Sequence, residues 1–186
     1  MAHLEEGYRN KPHHSHNFGA DSFYFLLARG FIEDEPLRFE YPQNVSFECT
    51  KCGLCCGDTP KTTRHVLLLQ QDAERISRYT NNEISMFATK TQDKSPYVYE
   101  MYKNQNGKCV FLQNNKCRAY EVRPLICRFY PFELSTDGNG FYKFKVTDEC
   151  PKVSCNKAGN AGKKLGAGHF KKLLNLACIA LNGEST

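Results

Sequence analysis

Four cysteines within eight residues constrain this chain more than any other feature: Cys49, Cys52, Cys55 and Cys56, in the run Cys-Thr-Lys-Cys-Gly-Leu-Cys-Cys. Thiols at this density are typical of a metal site, because a Cys-x-x-Cys turn lets two thiolates converge on one ion while Gly53 relieves the tight backbone. Cys55 and Cys56 are adjacent, so we expect their side chains to diverge and one of them to face a second site. The run predicts a metalloprotein, with zinc or iron–sulfur clusters as the candidates.

Six further cysteines follow the run. Cys109, Cys117, Cys127 and Cys150 bring the candidate ligands to eight, a number that divides into two four-thiolate sites. Cys155 is an alternative to Cys150, since the two flank one short segment. Cys178 lies on the apolar face of a helical pattern and is expected to be a buried structural thiol.

A disulfide framework is the alternative for these cysteines, and their even count of ten permits it. The chain begins Met-Ala-His-Leu-Glu-Glu, without an apolar signal stretch, which favours a reducing compartment over an oxidising one. We therefore expect a cytoplasmic protein with free or metal-bound thiols.

Length and charge bound the other possibilities. The 186 residues suffice for one domain with an extension, and no segment approaches the ~18 consecutive apolar residues of a membrane helix. The formal charge of +5 permits an acidic partner. We expect a protein partner and no membrane, while a nucleic-acid partner fits the charge but has no basic binding face to support it.

The chain divides into three parts. Residues 1–46 form a polar tail and lead-in with four histidines, His3, His13, His14 and His16, which we expect to be solvated rather than to chelate metal. Residues 47–155 form the cysteine-cluster domain, and residues 156–186 form a linker and an amphipathic helix. The predicted fold is α+β: a small irregular antiparallel sheet with short helices, whose loops are tied together by cysteine-ligated metal.

Individual elements follow from composition and turn signals. The predicted helices cover 21–28, 71–79, 82–88 and 163–182. The predicted strands cover 45–48, 65–69, 97–102 and 109–112, and a hairpin with its loop at 137–140 covers 134–146.

Several motifs in order resemble the YkgJ-type cysteine-cluster family, the zinc- or iron-chelating CxxCxxCC proteins, from Phe47 to about Cys155. They are the run at 49–56, Gln-Asp-Ala-Glu-Arg-Ile at 71–76, Gly-Lys-Cys-Val-Phe-Leu at 107–112, Lys-Cys-Arg-Ala-Tyr-Glu-Val-Arg-Pro at 116–124, Cys-Arg-Phe-Tyr-Pro-Phe at 127–132 and Glu-Cys-Pro at 149–151. The resemblance implies the same eight metal-associated cysteines. It implies no settled activity. Related clusters occur in flagellin lysine-N-methylases, which are much longer, so only the cluster region carries over.

Two arginines fit a role beside the metal ligands. Arg123 and Arg128 can donate hydrogen bonds to thiolates or cluster sulfurs and offset their charge; the alternative is that they pair with surface acids such as Glu121 and Glu133. We predict Arg123 and Arg128 as cofactor-binding residues.

Three functions remain open on the sequence. The preferred one is an iron–sulfur protein with a redox, maturation or modification-accessory role, because Cys-x-x-Cys-x-x-Cys with a remote fourth cysteine is a ferredoxin-like spacing and the second knuckle usual in zinc sites is missing. The second is a zinc-stabilised interaction module that contacts its partner through four lysines of the C-terminal helix, Lys163, Lys164, Lys171 and Lys172. The third is an accessory related to protein methyltransferases, suggested by the relatives alone.

Whether the protein is an enzyme stays open. No Gly-x-Gly-x-x-Gly or phosphate-binding loop is present. Asp58, His65 and Asp72 lie near the cysteines in sequence, where we expect surface or capping roles, and no catalytic residue is predicted.

Overall fold

The computed structural model describes residues 38–137, 140–155 and 162–182, and within these ranges the chain forms three α-helices and eleven short strands. The predicted α+β class is confirmed. The helices are α1 (Gln70–Thr80), α2 (Leu125–Phe129) and α3 (Ala167–Asn182). The strands are β1 (Arg38–Glu40), β2 (Val45–Phe47), β3 (Leu67–Leu68), β4 (Ala88–Lys90), β5 (Tyr99–Met101), β6 (Leu112–Gln113), β7 (Lys116–Cys117), β8 (Phe132–Thr136), β9 (Phe141–Val146), β10 (Val153–Cys155) and β11 (Lys163–Lys164).

The strands pair into four small sheets rather than one. The β8–β9 hairpin pairs in antiparallel register from Phe132 opposite Val146 to Thr136 opposite Tyr142, and β1 adds to β9 in parallel. Strand β2 lies between β10 and β11, β5 lies between β3 and β4, and β6 pairs with β7, all antiparallel.

Helix α1 forms where the sequence predicts it. Ala73 and Ile76 bury the inner face, Asp72 lies in the first turn and Arg78 in the last, which suits the helix dipole. The helix ends at Asn81, whose left-handed conformation at φ 53° places its backbone N–H on Ser77 O.

The strand at 45–48 and the 134–146 hairpin are also confirmed, within two residues at each end. The predicted helix at 82–88 is reduced to a single 3₁₀ turn, Ile84–Met86, because residues 88–90 pair with β5 instead. The C-terminal helix starts later than predicted, since Lys163 and Lys164 hydrogen-bond to β2 as strand β11. The segment 109–112 contributes only its last residue to a strand.

Two predicted features fall outside the described residues: the histidine-bearing tail with its helix at 21–28, and most of the linker at 158–162. No helix in the described ranges is both long and apolar enough to cross a membrane.

Two hydrophobic clusters hold the elements together. In the first, the Phe170 ring of α3 lies 5.0 Å, centroid to centroid, from the rings of Tyr41, Phe132 and Phe144. The second packs α1 against strands β3–β5, with Phe87 against Phe111 at 5.3 Å. Side chains from both clusters, such as Phe47 and Phe111, also line the cavity that receives the cysteines.

Candidate metal centre

The cysteine run turns sharply because two of its residues adopt left-handed backbone conformations, Lys51 at φ 55° and Gly53 at φ 74°. A single 3₁₀ turn, Leu54–Cys56, follows, closed by a hydrogen bond from Cys56 N–H to Gly53 O at 3.1 Å. Cys55 and Cys56 both line the same cavity. The expectation that one of them faces a second site stays a prediction.

Cys109 is held beside this turn by backbone pairing. Its N–H donates to Cys56 O at 2.7 Å, and Asp58 N–H donates to Gly107 O at 2.9 Å. The two backbone segments approach so closely that a Cβ on Gly57 would lie 2.6 Å from Gly107 O. The Cys109 thiol is buried and donates to the Met101 thioether, with 3.1 Å between the sulfurs.

Cys117 and Cys127 reach the same region from two other elements. Cys117 ends β7, after a tight turn in which Asn114 and Asn115 both have positive φ. Cys127 lies on α2, whose first residue, Leu125, donates its N–H to the buried Asp72 carboxylate at 3.1 Å. Asp72 thus positions the cysteine-bearing helix, as expected for a capping rather than a catalytic acid.

Cys150 is positioned by a polar clamp, which Glu149 forms with Thr59, Thr62 and Arg64. The neighbouring Glu149 carboxylate accepts hydrogen bonds from Thr59 Oγ1 at 3.4 Å and from Thr62 Oγ1, and it forms an ion pair with the Arg64 guanidinium. Because these partners lie in the loop just after the cysteine run, the clamp fastens the Cys150 segment to that loop. The hydrogen bond from Thr62, followed by the charge of Arg64, holds the pKa of Glu149 below its ordinary value.

All eight predicted ligands line one cavity of about 340 Å³. They are Cys49, Cys52, Cys55, Cys56, Cys109, Cys117, Cys127 and Cys150. Cys155 and Cys178 do not line it: Cys155 is exposed on β10, and Cys178 packs against the first hydrophobic cluster. All ten cysteines are free thiols in the structure.

The eight thiols differ in depth. Cys49 and Cys52 are exposed at the rim, whereas Cys109 and Cys150 are buried. In the ranges that the structure describes, no three His, Cys, Asp or Glu side chains stand close enough together to hold a single ion as they are now placed. The chain gathers the eight thiols around one cavity.

The deep thiols oppose one another's ionisation. Burial raises the pKa of Cys109 to about 11, and burial followed by the charges of Cys109, Cys55 and Cys117 raises the pKa of Cys127 further. The hydrogen bond between Cys55 and Cys56 lowers the pKa of Cys55 and raises that of Cys56. Because several negative sulfurs in one cavity repel, a cation is required if they are to be thiolates together. The donor set therefore fits a metal group by number and chemistry.

Both predicted arginines line the cavity. The Arg123 guanidinium lies 3.6 Å from the centroid of the Tyr120 ring, and its charge favours ionisation of Cys55, Cys117 and Cys127. Its Nε is buried and finds no hydrogen-bond partner among the described residues. Arg128 Nε donates to the backbone Arg123 O at 2.8 Å. Neither forms an ion pair with Glu121 or Glu133 in the described part of the chain.

Sequence reasoning missed Arg64, which lines the cavity with its guanidinium 5.1 Å from the centroid of the Tyr130 ring. No local pattern marks Arg64, because its partner Glu149 lies 85 residues away along the chain. The only signal was indirect: Glu149 adjoins a predicted ligand.

The remaining acidic and imidazole candidates have structural partners. Asp58 is bound by Lys103 at 2.8 Å and accepts the Arg64 backbone N–H at 2.8 Å. The hydrogen bond from Lys103 lowers the pKa of Asp58. His65 lines the cavity and contacts Glu100, with 2.6 Å between His65 Nδ1 and Glu100 Oε1.

Comparison with known proteins points in the same direction. The model of the CxxCxxCC family, described as "Putative zinc- or iron-chelating domain", matches residues 48–156. Uncharacterized protein MJ0661 of Methanocaldococcus jannaschii is 31% identical over 113 residues, which are 58% of this chain and 58% of the relative. Uncharacterized protein MJ0939 of the same organism is 27% identical over 128 residues, 66% of this chain and 41% of the relative. The chain therefore spans about half the length of these relatives. No solved structure matches.

Proposed function

The chain belongs to the CxxCxxCC family of zinc- or iron-chelating domains, and from this premise we propose that it is an iron–sulfur protein whose clusters occupy the cysteine-lined cavity. The family supports metal binding in general. The observation that carries the finer proposal is that eight cysteines from five separate segments of the chain line a single cavity of about 340 Å³. A space shared by so many sulfurs suits groups that contain several metal ions.

Iron is favoured over zinc by the arrangement of the donors. Structural zinc sites are closed tetrahedra of four ligands, commonly built from two Cys-x-x-Cys knuckles. Here Cys49, Cys52 and Cys55 follow the three-cysteine spacing of ferredoxin-like clusters, and the other ligands are isolated. The cavity wall also carries Arg64 and Arg123, whose N–H groups suit sulfur acceptors.

An iron–sulfur cluster supplies one-electron chemistry when bound. The chain's own residues would hold it through the eight thiolates, offset their charge with Arg64 and Arg123, and limit water through the apolar wall at Phe47 and Phe111. These roles fit electron transfer, cluster maturation or assistance to a modification enzyme. The ten free thiols favour a reducing compartment such as the cytoplasm.

Metal and sulfide analysis of protein purified without oxygen and without added metal tests the proposal. Iron and acid-labile sulfide together, with a broad absorbance near ~400 nm, are expected. Cys55→Ser and Cys127→Ser should bleach this absorbance, while the matched variant Cys155→Ser should keep it, because Cys155 lies outside the cavity. Colourless protein carrying about two zinc ions per chain would refute the iron assignment.

A zinc-stabilised interaction module is the second candidate, favoured by one surface feature. Lys163 and Lys164 on β11 and Lys171 and Lys172 on α3 are all exposed. An acidic protein partner would contact this face. Reversing the four charges should abolish the binding of such a partner and leave the metal content intact, whereas Cys127→Ser should remove the metal.

A further inference from the structure

Three buried polar groups in the cavity wall, Arg64 Nε, Arg123 Nε and Tyr130 OH, find no hydrogen-bond partner among the described residues. Arg64 and Tyr130 form a pair, because the Arg64 guanidinium lies over the Tyr130 ring. A buried donor without an acceptor loses its hydration and gains nothing in return, so a ligand in the cavity that supplied an acceptor would stabilise both groups.

The two donors are held in place rather than left free. The terminal nitrogen Nη2 of Arg64 is engaged by Glu149, and the guanidinium lies over the Tyr130 ring at 5.1 Å. Only 17% of the Arg64 side chain and 14% of the Glu149 side chain are exposed. Because one edge of the guanidinium is bound to Glu149, Arg64 has little freedom to turn its Nε elsewhere.

The sulfurs available to these donors come from several ligand segments, and Cys55 and Cys150 are among those that line the same cavity as Arg64 and Tyr130. A metal-bound thiolate sulfur is a stronger acceptor than a neutral thiol. The donors therefore match a state of the site that the protein chain alone does not provide.

We propose that Arg64 Nε–H and Tyr130 O–H donate hydrogen bonds to metal-bound cysteine sulfurs of the cavity, and that Glu149 is the positioning residue that fixes Arg64. The inference rests on the proposed function, because it requires a metal group in the cavity, but it holds for iron–sulfur and zinc alike. It assigns a joint role to three residues far apart in the sequence. Glu149, which fastens the Cys150 segment to the loop after the cysteine run, also holds Arg64, and the Arg64 guanidinium lies over the Tyr130 ring.

The decisive variant is Tyr130→Phe, which removes the O–H and keeps the ring under Arg64. In metal-free protein this variant should unfold about 2–4 °C higher than the wild type, because a buried unpaired donor is gone. In metal-loaded protein it should unfold lower and should release metal to a chelator about tenfold faster. Tyr142→Phe is the control, since Tyr142 is a buried tyrosine that does not line the cavity.

Arg64→Lys provides an independent variant. Lysine keeps the charge and an ion pair with Glu149 but has no Nε–H at that position. Metal release should again accelerate about tenfold. Arg78→Lys is the control, because Arg78 is exposed in the last turn of α1 and lies outside the cavity. A change of the same size in the control would overturn the assignment of Arg64.

The outcomes separate the inference from the proposed function. A wild-type protein that takes up no metal would refute both. A wild-type protein that binds metal, with Tyr130→Phe behaving like Tyr142→Phe in both metal states, would refute the inference alone. If Tyr130 only packed against its neighbours, Tyr130→Phe would not raise the unfolding temperature of metal-free protein and lower that of metal-loaded protein.

Discussion

Asp72 links helix α1 to the helix that carries Cys127, so its removal should weaken both the fold and the site. The carboxylate is 2% exposed and accepts the backbone N–H of Leu125 at 3.1 Å and of Leu69 at 3.4 Å. It also pairs with Arg75. Three donors from two helices and the segment before α1 thus depend on one buried side chain.

The magnitude follows from these contacts. Asp72→Ala would leave two N–H groups of buried residues without an acceptor, at about 1–3 kcal/mol each. Water entering the vacated space and the partial exposure of Arg75 reduce the sum, so we expect a loss of about 3–4 kcal/mol. Asp72→Asn keeps one acceptor oxygen and should cost about half as much. Glu74→Ala, on the exposed side of the same helix, should change stability by less than about 0.5 kcal/mol.

The assay is urea unfolding of reduced, metal-free protein, followed by the fluorescence of its ten tyrosines, since the chain has no tryptophan. Metal retention, measured afterwards on loaded protein, should fall in the order wild type, Asp72→Asn, Asp72→Ala, because α2 positions Cys127. An Asp72→Ala protein within about 1 kcal/mol of the wild type would refute the reasoning that this carboxylate caps a buried helix end.

The remaining predictions concern packing and the choice of ligands. Gly57→Ala should lower the free energy of unfolding in urea by about 2 kcal/mol or more and reduce metal uptake, since the added Cβ would meet Gly107 O at 2.6 Å. Gly166→Ala should be neutral, because nothing lies within 4 Å of its added Cβ. Equal effects of the two variants would contradict the close approach at Gly57. Phe170→Ala should lower the free energy of unfolding by about 3–5 kcal/mol, because its ring is fully buried among three others, and a loss below about 1 kcal/mol in the same titration would contradict this packing. Cys155→Ser and Cys178→Ala should leave the metal-to-protein ratio unchanged in elemental analysis, and a ratio that fell by half would place one of them among the ligands.

Several elements were readable from the sequence because their signals are local. Helix α1 has acids early, arginine late and a periodic apolar face, and the 134–146 hairpin has two strand-like runs around a glycine-bearing loop. Helix α2 escaped prediction because its five residues are too few to show a helical period. Strand β11 escaped because Lys163 and Lys164 carry no strand signal, and their pairing depends on β2, more than a hundred residues earlier.

The ligand set was likewise predicted from spacing and resemblance, and the structure places all eight of those cysteines around one cavity. The relative position of Cys55 and Cys56 was not predictable, since it depends on the left-handed Gly53 and the 3₁₀ turn that follows. The choice between Cys150 and Cys155 was also open in the sequence. In the structure Glu149 fastens the first near the cysteine run, and β10 holds the second at the surface.

The sequence by itself determined the chemistry of this protein: ten thiols, four of them within one run of eight residues, on a chain of α+β character. Only the tertiary structure decided that eight of them line one cavity, that Arg128 Nε donates to Arg123 O, and that Arg64 and Tyr130 line the same cavity. The physical reason is the range of the interactions. Turn preferences and ligand spacing act between near neighbours, whereas the Arg64–Glu149 pair and the burial of Asp72 exist only once distant segments have packed together.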